Sequence, residues 1–216
     1  MPKDRWGFDR WAASYDEDII RSARAGDWIF SDYDRVLDKV VEYCGQEESS
    51  YTSVLDVGIG TGNLAARFLP RGVQVFGIDP SVKMRKICRK KYPGIKVTAG
   101  DFLNIPKTVP IADIIVSAYA FHHLNAVEKA AAVSVMKSHL KPKGRIVIAD
   151  LMFQDASMVS KIKQELRDIG RFDILEEFAD EYPALFDELG ILFQSEGFCF
   201  DGERLTESVW ILRACL

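Results

Sequence analysis

Short apolar segments alternate with helical patterns through the middle of the chain, and this alternation restricts the possible folds more than any other feature. Five apolar runs are predicted to be strands, at residues 53–57, 73–79, 96–100, 111–119 and 144–150. Most neighbouring runs are separated by an amphipathic helical segment. Strands joined by helices form right-handed crossovers and a parallel sheet that is covered on both faces. The pattern therefore predicts a doubly wound α/β architecture.

The end of the chain departs from this alternation. Residues 198–206 and 207–215 have strand character but lie too close together for a crossover helix, so we expect an antiparallel hairpin. Residues 155–196 look helical, with breaks near Gly170 and Pro183. We therefore predict a Rossmann-like, doubly wound sheet of seven mostly parallel strands, with an antiparallel last strand and helices on both faces.

Charge and hydropathy disfavour two classes of partner. The formal charge of −4 argues against broad attachment to phosphate backbones. Residues 83–96 carry seven Lys or Arg and no acid, and we interpret them as the solvated face of a helix rather than a nucleic-acid patch. No window approaches the ~18 uninterrupted apolar residues of a membrane span, and charges are scattered through the first residues. We expect a cytoplasmic protein that does not associate with membranes.

The four cysteines lie far apart in the chain, at Cys44, Cys88, Cys199 and Cys215. They form no C-x-x-C motif and no Cys/His pair at metal-ligand spacing. We interpret them as apolar core residues and expect no metal site.

The turn after the first predicted strand is rich in glycine. VLDVGIGTGN, residues 54–63, places Gly58, Gly60 and Gly62 at alternate positions. In an open parallel sheet the ligand crevice lies beyond the carboxyl ends of the strands. Glycines there permit positive φ and remove Cβ atoms, so that backbone N–H groups can approach a ligand. The pattern predicts a ligand-binding turn.

The residues that follow bear on which ligand this turn accepts. A dinucleotide fingerprint, G-x-G-x-x-G, would place its third glycine at position 63, where this chain has Asn63. Asp79 ends the second strand, where a carboxylate can accept both ribose hydroxyls, although it could also be a turn acid before Pro80. After the third strand, Asp101 could accept an adenine amino proton beside Phe102, and loop capping by Asp101 is an equal alternative.

Together these segments resemble the class I methyltransferases that use S-adenosyl-L-methionine and release S-adenosyl-L-homocysteine. The resemblance covers LDVGIGTGN, GIDPS, GDFLNIP, DIIVSAYAFHHL and LKPKGRIVIAD, and hence the whole sheet. FDRWAASYDEDI, DYDRVLDKVV, MRKI and the terminal VWILRA further resemble a group of uncharacterised bacterial methyltransferases, the YrrT family. The resemblance implies one methyltransferase domain over residues 1–216. Its regions would be an N-terminal helical or lid region (1–50), a cofactor-binding core (51–154), a helical substrate-side region (155–196) and a C-terminal hairpin (197–216).

The resemblance also implies a set of cofactor contacts. They are Tyr15, Asp56, Gly58, Gly60, Gly62, Asp79, Asp101, Phe102 and Ser117. The glycines would approach the methionine and ribose parts of the cofactor, and Asp56 would orient the turn or the ammonium group. Asp79 would hold the ribose, and Asp101 with Phe102 would hold the adenine.

Two histidines, His122 and His123, follow the fourth strand, where the transferable methyl group should point. Either could accept a proton from an attacking hydroxyl, amine or thiol, or orient the acceptor. The alternative is one structural hydrogen-bonding histidine and one surface histidine. Neither D-P-P-Y or N-P-P-Y nor a cysteine follows this strand, which disfavours a nucleic-acid substrate. We therefore expect methyl transfer to a small-molecule metabolite.

Large aromatic residues are concentrated near the start of the chain, at Trp6, Phe8, Trp11, Tyr15 and Trp28. A segment that folds over the cofactor and substrate would need such rigid apolar mass to exclude water. We favour such a lid over the alternative, a helix packed permanently on the core.

Three other functions are compatible with parts of the pattern. A nicotinamide oxidoreductase shares the fold but lacks its third glycine here, a nucleic-acid methyltransferase would depend on residues 83–96, and a catalytically silent cofactor-binding protein would keep the glycine turn. The oligomeric state is not predicted.

Overall fold

The computed structural model describes residues 7–45, 51–177 and 181–216. Trp6, one of the N-terminal aromatic residues, lies outside them.

A central mixed sheet organises the molecule. Its strands are β1 (Ser53–Val57), β2 (Gln74–Asp79), β3 (Lys96–Ala99), β4 (Ala112–Ala118), β5 (Leu140–Phe153), β6 (Ala184–Leu185), β7 (Cys199–Arg204) and β8 (Val209–Cys215). The order across the sheet is β3-β2-β1-β4-β5-β8-β7, and β6 pairs with β5 off this path. Strands β1 to β5 pair in parallel, whereas β8 runs antiparallel to both β5 and β7.

The predicted doubly wound sheet with an antiparallel last strand is thereby confirmed, with one addition. The two-residue strand β6 makes the sheet eight-stranded. Strand order reverses between β1 and β4, because the chain leaves β1 toward β2 on one side and returns to β4 on the other. This reversal opens a crevice at the carboxyl ends of β1 and β4.

Eight α-helices are found in the described residues. They are α1 (Phe8–Trp11), α2 (Tyr15–Ala25), α3 (Tyr33–Cys44), α4 (Val82–Lys91), α5 (Ala126–Ser138), α6 (Ala156–Asp168), α7 (Phe172–Glu177) and α8 (Phe186–Ser195). Ser81 Oγ accepts from Met84 N and begins α4, while Asn125 and Glu128 form a reciprocal capping box that begins α5. No helix in the part of the chain that the structure describes is long and apolar enough to cross a membrane.

The core lies on both faces of the sheet because successive strand residues point in opposite directions. Leu55 belongs to a buried cluster with Met136 of α5, and its neighbour Val54 belongs to a second cluster with Val40 of α3. All five residues of β1 are buried, as expected for a central parallel strand.

Two local expectations need correction. The helix expected after the glycine turn is a 3₁₀ helix at Ala65–Arg71, which contains Pro70, a residue that cannot donate a backbone hydrogen bond. The fifth strand, predicted at residues 144–150, is part of the longer strand β5, which begins at Leu140 and contains a bulge. Ala112 pairs with Leu140 and Ile114 with Arg145, so extra residues loop out of the ladder on the β5 side.

Candidate functional site

A cavity of about 380 Å³ lies at the carboxyl ends of the parallel strands, where the strand order reverses. Its floor is the glycine turn after β1 and the loops after β2, β3 and β4. Residues of α1 and α2 cover it from the N-terminal side. The cavity therefore lies where ligands bind in open α/β sheets.

Gly58 and Gly60 shape the floor of this cavity. Gly58 N and Ile59 N both donate to Ile78 O, at 2.9 and 3.0 Å, which ties the turn to β2. Gly58 has a φ of 77°, and a Cβ there would lie 2.6 Å from the Cβ of Ala120. Gly60 has a φ of 54°, and a Cβ there would meet no atom within 4 Å. Gly58 thus allows close packing of two loops, and Gly60 borders open space.

Gly62 and Ser117 are not brought to the cavity. A Cβ on Gly62 would lie 2.7 Å from Cys88 Sγ and 2.9 Å from a ring carbon of Tyr92, so this glycine allows the turn to pack closely on α4. Ser117 is fully buried, and its hydroxyl donates to Val57 O at 2.8 Å. Both residues contact other parts of the protein and do not line the cavity, where the resemblance implied a contact with the cofactor.

Two carboxyl groups, Asp56 and Asp79, line the cavity beside the turn. Asp79 accepts from Gly60 N at 2.9 Å and from Ser81 N at 2.8 Å, so it holds the tip of the glycine turn. Asp56 is buried, and its Oδ2 has no hydrogen-bond partner in the described chain. Burial, followed by the charge of Asp79, raises the pKa of Asp56 to about 8. Asp56 therefore presents an unsatisfied polar atom to the cavity.

Asp101 and Phe102 also line the cavity. Asp101 accepts from Leu103 N at 2.9 Å, so the capping role that was considered for it is present. Phe102 is buried and meets Phe121 edge-on, with ring centroids 5.3 Å apart. Asp101 and Phe102 thus belong to the same cavity wall as Asp79.

Two acidic residues that the sequence analysis missed hold the N-terminal helices in place. Asp16 accepts from Thr61 Oγ1 at 2.7 Å, Asn63 Nδ2 at 3.0 Å and Lys91 Nζ at 2.6 Å. Asp9 accepts from Ser81 Oγ at 2.6 Å and from Lys83 N at 2.9 Å. These pairings cross tens of residues in sequence, and no local pattern could indicate them.

Three tyrosines form part of the cavity wall: Tyr15, Tyr33 and Tyr119. Burial, followed by the proximity of Tyr33, raises the pKa of Tyr15 well above its ordinary value. Tyr119 stacks on Tyr33 at 5.4 Å and has a φ of 53°, which is unfavourable for a residue with a side chain. Such strain is retained where the surrounding structure enforces it, often at functional sites.

The two histidines line the part of the cavity that follows β4, two strands across the sheet from Asp79 at the end of β2. His122 Nδ1 is 2.5 Å from Asp150 Oδ1, and His122 Nε2 is 3.4 Å from Glu181 Oε2. Burial lowers the pKa of His122, but the charge and hydrogen bond of Asp150, aided by Glu181, outweigh it and raise the pKa overall. His123 is different, since burial and then the charge of His122 lower its pKa to about 3.

Asp150 anchors this end of the site and was not singled out in the sequence. Its Oδ2 accepts from Phe121 N at 2.5 Å and from Ala120 N at 3.0 Å, so it also holds the loop after β4. The available signal was an acid directly after the apolar residues IVIA, since Asp150 ends the run GRIVIAD.

Comparison with known proteins decides the family. Residues 54–144 match the family model described as a methyltransferase domain. The chain is 38% identical to an uncharacterised methyltransferase of Geobacillus kaustophilus over 208 residues, which is 96% of this chain and 94% of the relative. It is 36% identical to the uncharacterised methyltransferase YrrT of Bacillus subtilis, covering 96% of this chain and 95% of the relative. The chain belongs to the class I methyltransferases.

A solved structure agrees with the fold of this methyltransferase. The magnesium protoporphyrin IX methyltransferase of Synechocystis, solved with bound S-adenosylhomocysteine, superposes with a TM-score of 0.70 at 18% identity. The match covers 98% of this chain and 95% of that one. As a class I enzyme, the methyltransferase uses S-adenosylmethionine as its methyl donor.

The cavity of this methyltransferase fits such a donor. The donor carries a sulfonium, an ammonium group, ribose hydroxyls and an adenine amino group, all of which are matched by acceptors or negative charge. The unpartnered oxygen of Asp56 and the carboxylates of Asp79 and Asp101 supply these, and Gly60 leaves the space open. Seven of the residues for which the resemblance implies a donor contact line this cavity: Tyr15, Asp56, Gly58, Gly60, Asp79, Asp101 and Phe102.

Proposed function

We propose that this methyltransferase methylates a small-molecule metabolite inside the covered cavity. The observation that carries the proposal is the cover itself. Phe8, Trp11 and Tyr15 line the cavity from the N-terminal side, and Asp9 and Asp16 bond their helices to the donor turn and α4. A polymeric substrate would have to displace this cover, whereas a small acceptor fits beneath it.

At the donor end, the proposed roles follow the chemistry of the lining. Asp79 accepts from the ribose hydroxyls, Asp101 with Phe102 meets the adenine, and Asp56 faces the ammonium group. When bound, S-adenosylmethionine supplies a methyl group whose bond to sulfur breaks as the acceptor lone pair forms the new bond. Alignment and exclusion of water are what the protein itself must add.

At the acceptor end, we propose that His122 and His123 face the methyl acceptor. Asp150 fixes the orientation of the His122 ring through Nδ1, which leaves Nε2 directed toward Glu181. Both histidines and Glu181 line the cavity. This arrangement supports a direct role for both histidines in placing the acceptor, and His122, whose pKa is raised, is the better candidate of the two for accepting its proton.

The basic segment supports a small acceptor over a nucleic acid. Among its cations, Arg85 donates to Asp79 O and Pro80 O, Arg89 donates to Val97 O, and Lys91 pairs with Asp16. These cations make intramolecular contacts. They therefore do not form a continuous surface for binding phosphates. The Synechocystis relative is also named for a small acceptor, magnesium protoporphyrin IX.

We further propose a cytoplasmic location. All four cysteines are free thiols, a state that reducing compartments maintain. Cys44 and Cys88 are buried as expected, whereas Cys199 is exposed and Cys215 is partly exposed, so the core position expected of all four is wrong for these two. Cell fractionation with an antibody to the protein tests the cytoplasmic location, and recovery outside the cytosolic fraction would contradict it.

The function is tested by incubating the purified protein with methyl-labelled S-adenosylmethionine and three separate fractions: small metabolites, RNA and protein. We expect label in the metabolite fraction alone. Label in RNA, abolished by Lys83→Glu with Lys86→Glu, would instead support a nucleic-acid methyltransferase. Binding of S-adenosylhomocysteine without transfer to any fraction would indicate a silent cofactor-binding protein, and tryptophan quenching by NADH alone would indicate an oxidoreductase.

A further inference from the structure

Three side chains with metal-binding atoms meet at the acceptor end of the cavity. His122 and His123 follow β4, and Glu181 precedes β6. One ligand atom from each lies within 4.8 Å of the others. All three line the cavity, so an ion held by them would be reachable from the acceptor space.

The spacing suits a small divalent ion. Metal–nitrogen and metal–oxygen bonds of about 2.0–2.2 Å place neighbouring ligand atoms of a tetrahedron about 3.3–3.6 Å apart. His122 Nε2 and Glu181 Oε2 are already 3.4 Å apart. The ligand atom of His123 lies within 4.8 Å of the other two, so a shift of roughly 1 Å brings the third ligand into range.

The surroundings hold the ligands as they are held in known metal sites. A metal-ligating histidine usually donates its other ring N–H to a carboxylate, which fixes the ring. His122 has this partner in Asp150, at 2.5 Å from Nδ1. The segment that carries Glu181 is bound beside His122, because Tyr182 N donates to His122 O at 3.0 Å and Lys129 Nζ donates to Tyr182 O at 2.6 Å.

We propose that His122, His123 and Glu181 bind a divalent first-row transition metal ion that coordinates the methyl acceptor. Two imidazoles and one carboxylate favour zinc or iron over magnesium, which prefers oxygen ligands. Three protein ligands leave a coordination position for the acceptor on the cavity side. The role in catalysis rests on the proposed function, whereas metal binding itself does not.

A bound metal ion would restrict the methyl acceptor to a narrower class of molecules. A hydroxyl or thiol that coordinates the ion becomes more acidic and releases its proton to solvent. The oxygen or sulfur lone pair then forms the bond to the methyl carbon, and the electrons of the broken methyl–sulfur bond remain on the donor sulfur. The acceptors predicted by this site are small thiols and alcohols that bind zinc.

No metal was expected from the sequence because the ligands come from two distant segments. The adjacent His122 and His123 do not match any metal-ligand spacing, and Glu181 lies far along the chain. Only the fold brings Glu181 back to the end of β4.

The experiment uses the full chain, stripped with a chelator and titrated with Co²⁺ and with Zn²⁺. We expect Co²⁺ to give the visible absorption of a four- or five-coordinate ion, displaced by one equivalent of Zn²⁺. Glu181→Gln and His123→Ala should each weaken Zn²⁺ binding by more than about 10-fold. His139→Ala is the matched control, because His139 lies at the end of α5 and bonds Val135 O outside the cavity.

Binding of S-adenosylhomocysteine, measured on the same samples, separates the two proposals. Retained binding in Glu181→Gln shows that the variant is folded. If calorimetry shows that wild-type protein binds S-adenosylhomocysteine but does not bind Zn²⁺ saturably, the metal proposal is wrong. His122 and Glu181 then form an ordinary ion pair. Equal Zn²⁺ affinity in Glu181→Gln, His123→Ala and wild type would place the ion elsewhere and also overturn it. Saturable Zn²⁺ binding without S-adenosylhomocysteine binding would uphold the metal site and reject the proposed function.

Discussion

At the scale of single residues, Asp79 both holds the donor turn in shape and places a carboxylate beside it. Its two oxygens accept from Gly60 N and Ser81 N, so the carboxylate holds the backbone in place even before a ligand is considered. The same group faces the cavity. A change at Asp79 should therefore lower donor affinity through the lost charge and also loosen the turn that it holds.

Asp79→Asn is expected to weaken S-adenosylhomocysteine binding by about 1–3 kcal/mol, because charge-assisted hydrogen bonds to the ribose are lost. Isothermal titration calorimetry measures this. Asp168→Asn, on α6 and bonded to Gln164, is the control and should bind as wild type does. Unchanged affinity in Asp79→Asn would remove the ribose role from this residue.

Asp56 makes stability depend on pH in an unusual direction. Its pKa is raised to about 8 by burial and by Asp79, so the folded protein holds a proton that the unfolded chain releases near pH 4. The free energy of unfolding should therefore fall as the pH rises from about 4 to about 8. Asp56→Asn is expected to flatten this slope in urea denaturation measured across that range. An equally steep slope in the variant would show that another group is responsible.

At the scale of elements, the N-terminal helices are connected to the donor turn by one carboxylate. Asp16 lies in the first turn of α2 and accepts from Thr61, Asn63 and Lys91. Helix packing alone would leave these polar groups without their partner. The attachment thus depends on a residue that can be changed without touching the core.

Asp16→Asn is expected to lower the free energy of unfolding by about 1 kcal/mol and to speed proteolytic cleavage between α1 and α3. Limited proteolysis followed by mass spectrometry measures the second effect. Glu17→Gln changes the exposed neighbour in the same helix and should leave the cleavage rate as it is. If both variants are cleaved at the wild-type rate, Asp16 does not hold the cover closed.

The elements themselves could largely be predicted from the sequence. The apolar pattern of the sequence predicted β1 to β5 and the hairpin. A strand that is buried on both faces consists of a continuous apolar run, which is visible in the local sequence. The two-residue β6 carries no such pattern, and the segment after the glycine turn, which contains Pro70, forms a 3₁₀ helix. Site residues within motifs were identifiable, whereas Asp16 and Asp150 act on partners that only the folded chain brings near.

At the scale of the whole molecule, Asp113 joins three strands at the end of the sheet opposite the cavity. Its Oδ2 accepts from Ser53 Oγ at 2.7 Å, Thr52 N at 3.0 Å and Lys141 Nζ at 3.0 Å. Burial acts to raise the pKa of Asp113, but these hydrogen bonds outweigh it and lower the pKa well below its usual range.

Because the folded pKa of Asp113 is lowered, its stabilisation is present above the unfolded pKa of about 4 and is lost as the pH falls below that value. Asp113→Asn should therefore reduce the free energy of unfolding at pH ~7 by about 1–3 kcal/mol, and the deficit should shrink toward pH ~3. Urea denaturation at the two pH values measures it. Glu188→Gln, exposed on α8, serves as the control. A deficit of equal size at both pH values would contradict the assigned pKa shift.

The bond network around Asp16 has a consequence for turnover. The atoms that tie α2 down belong to Thr61 and Asn63, which lie in the same bend that Gly58 and Gly60 shape for the donor. We therefore expect binding of the donor to be thermodynamically coupled to the attachment of α2, and we propose that α2 must loosen before S-adenosylhomocysteine leaves. The slow step of the reaction is accordingly expected to be departure of the product and not the chemistry.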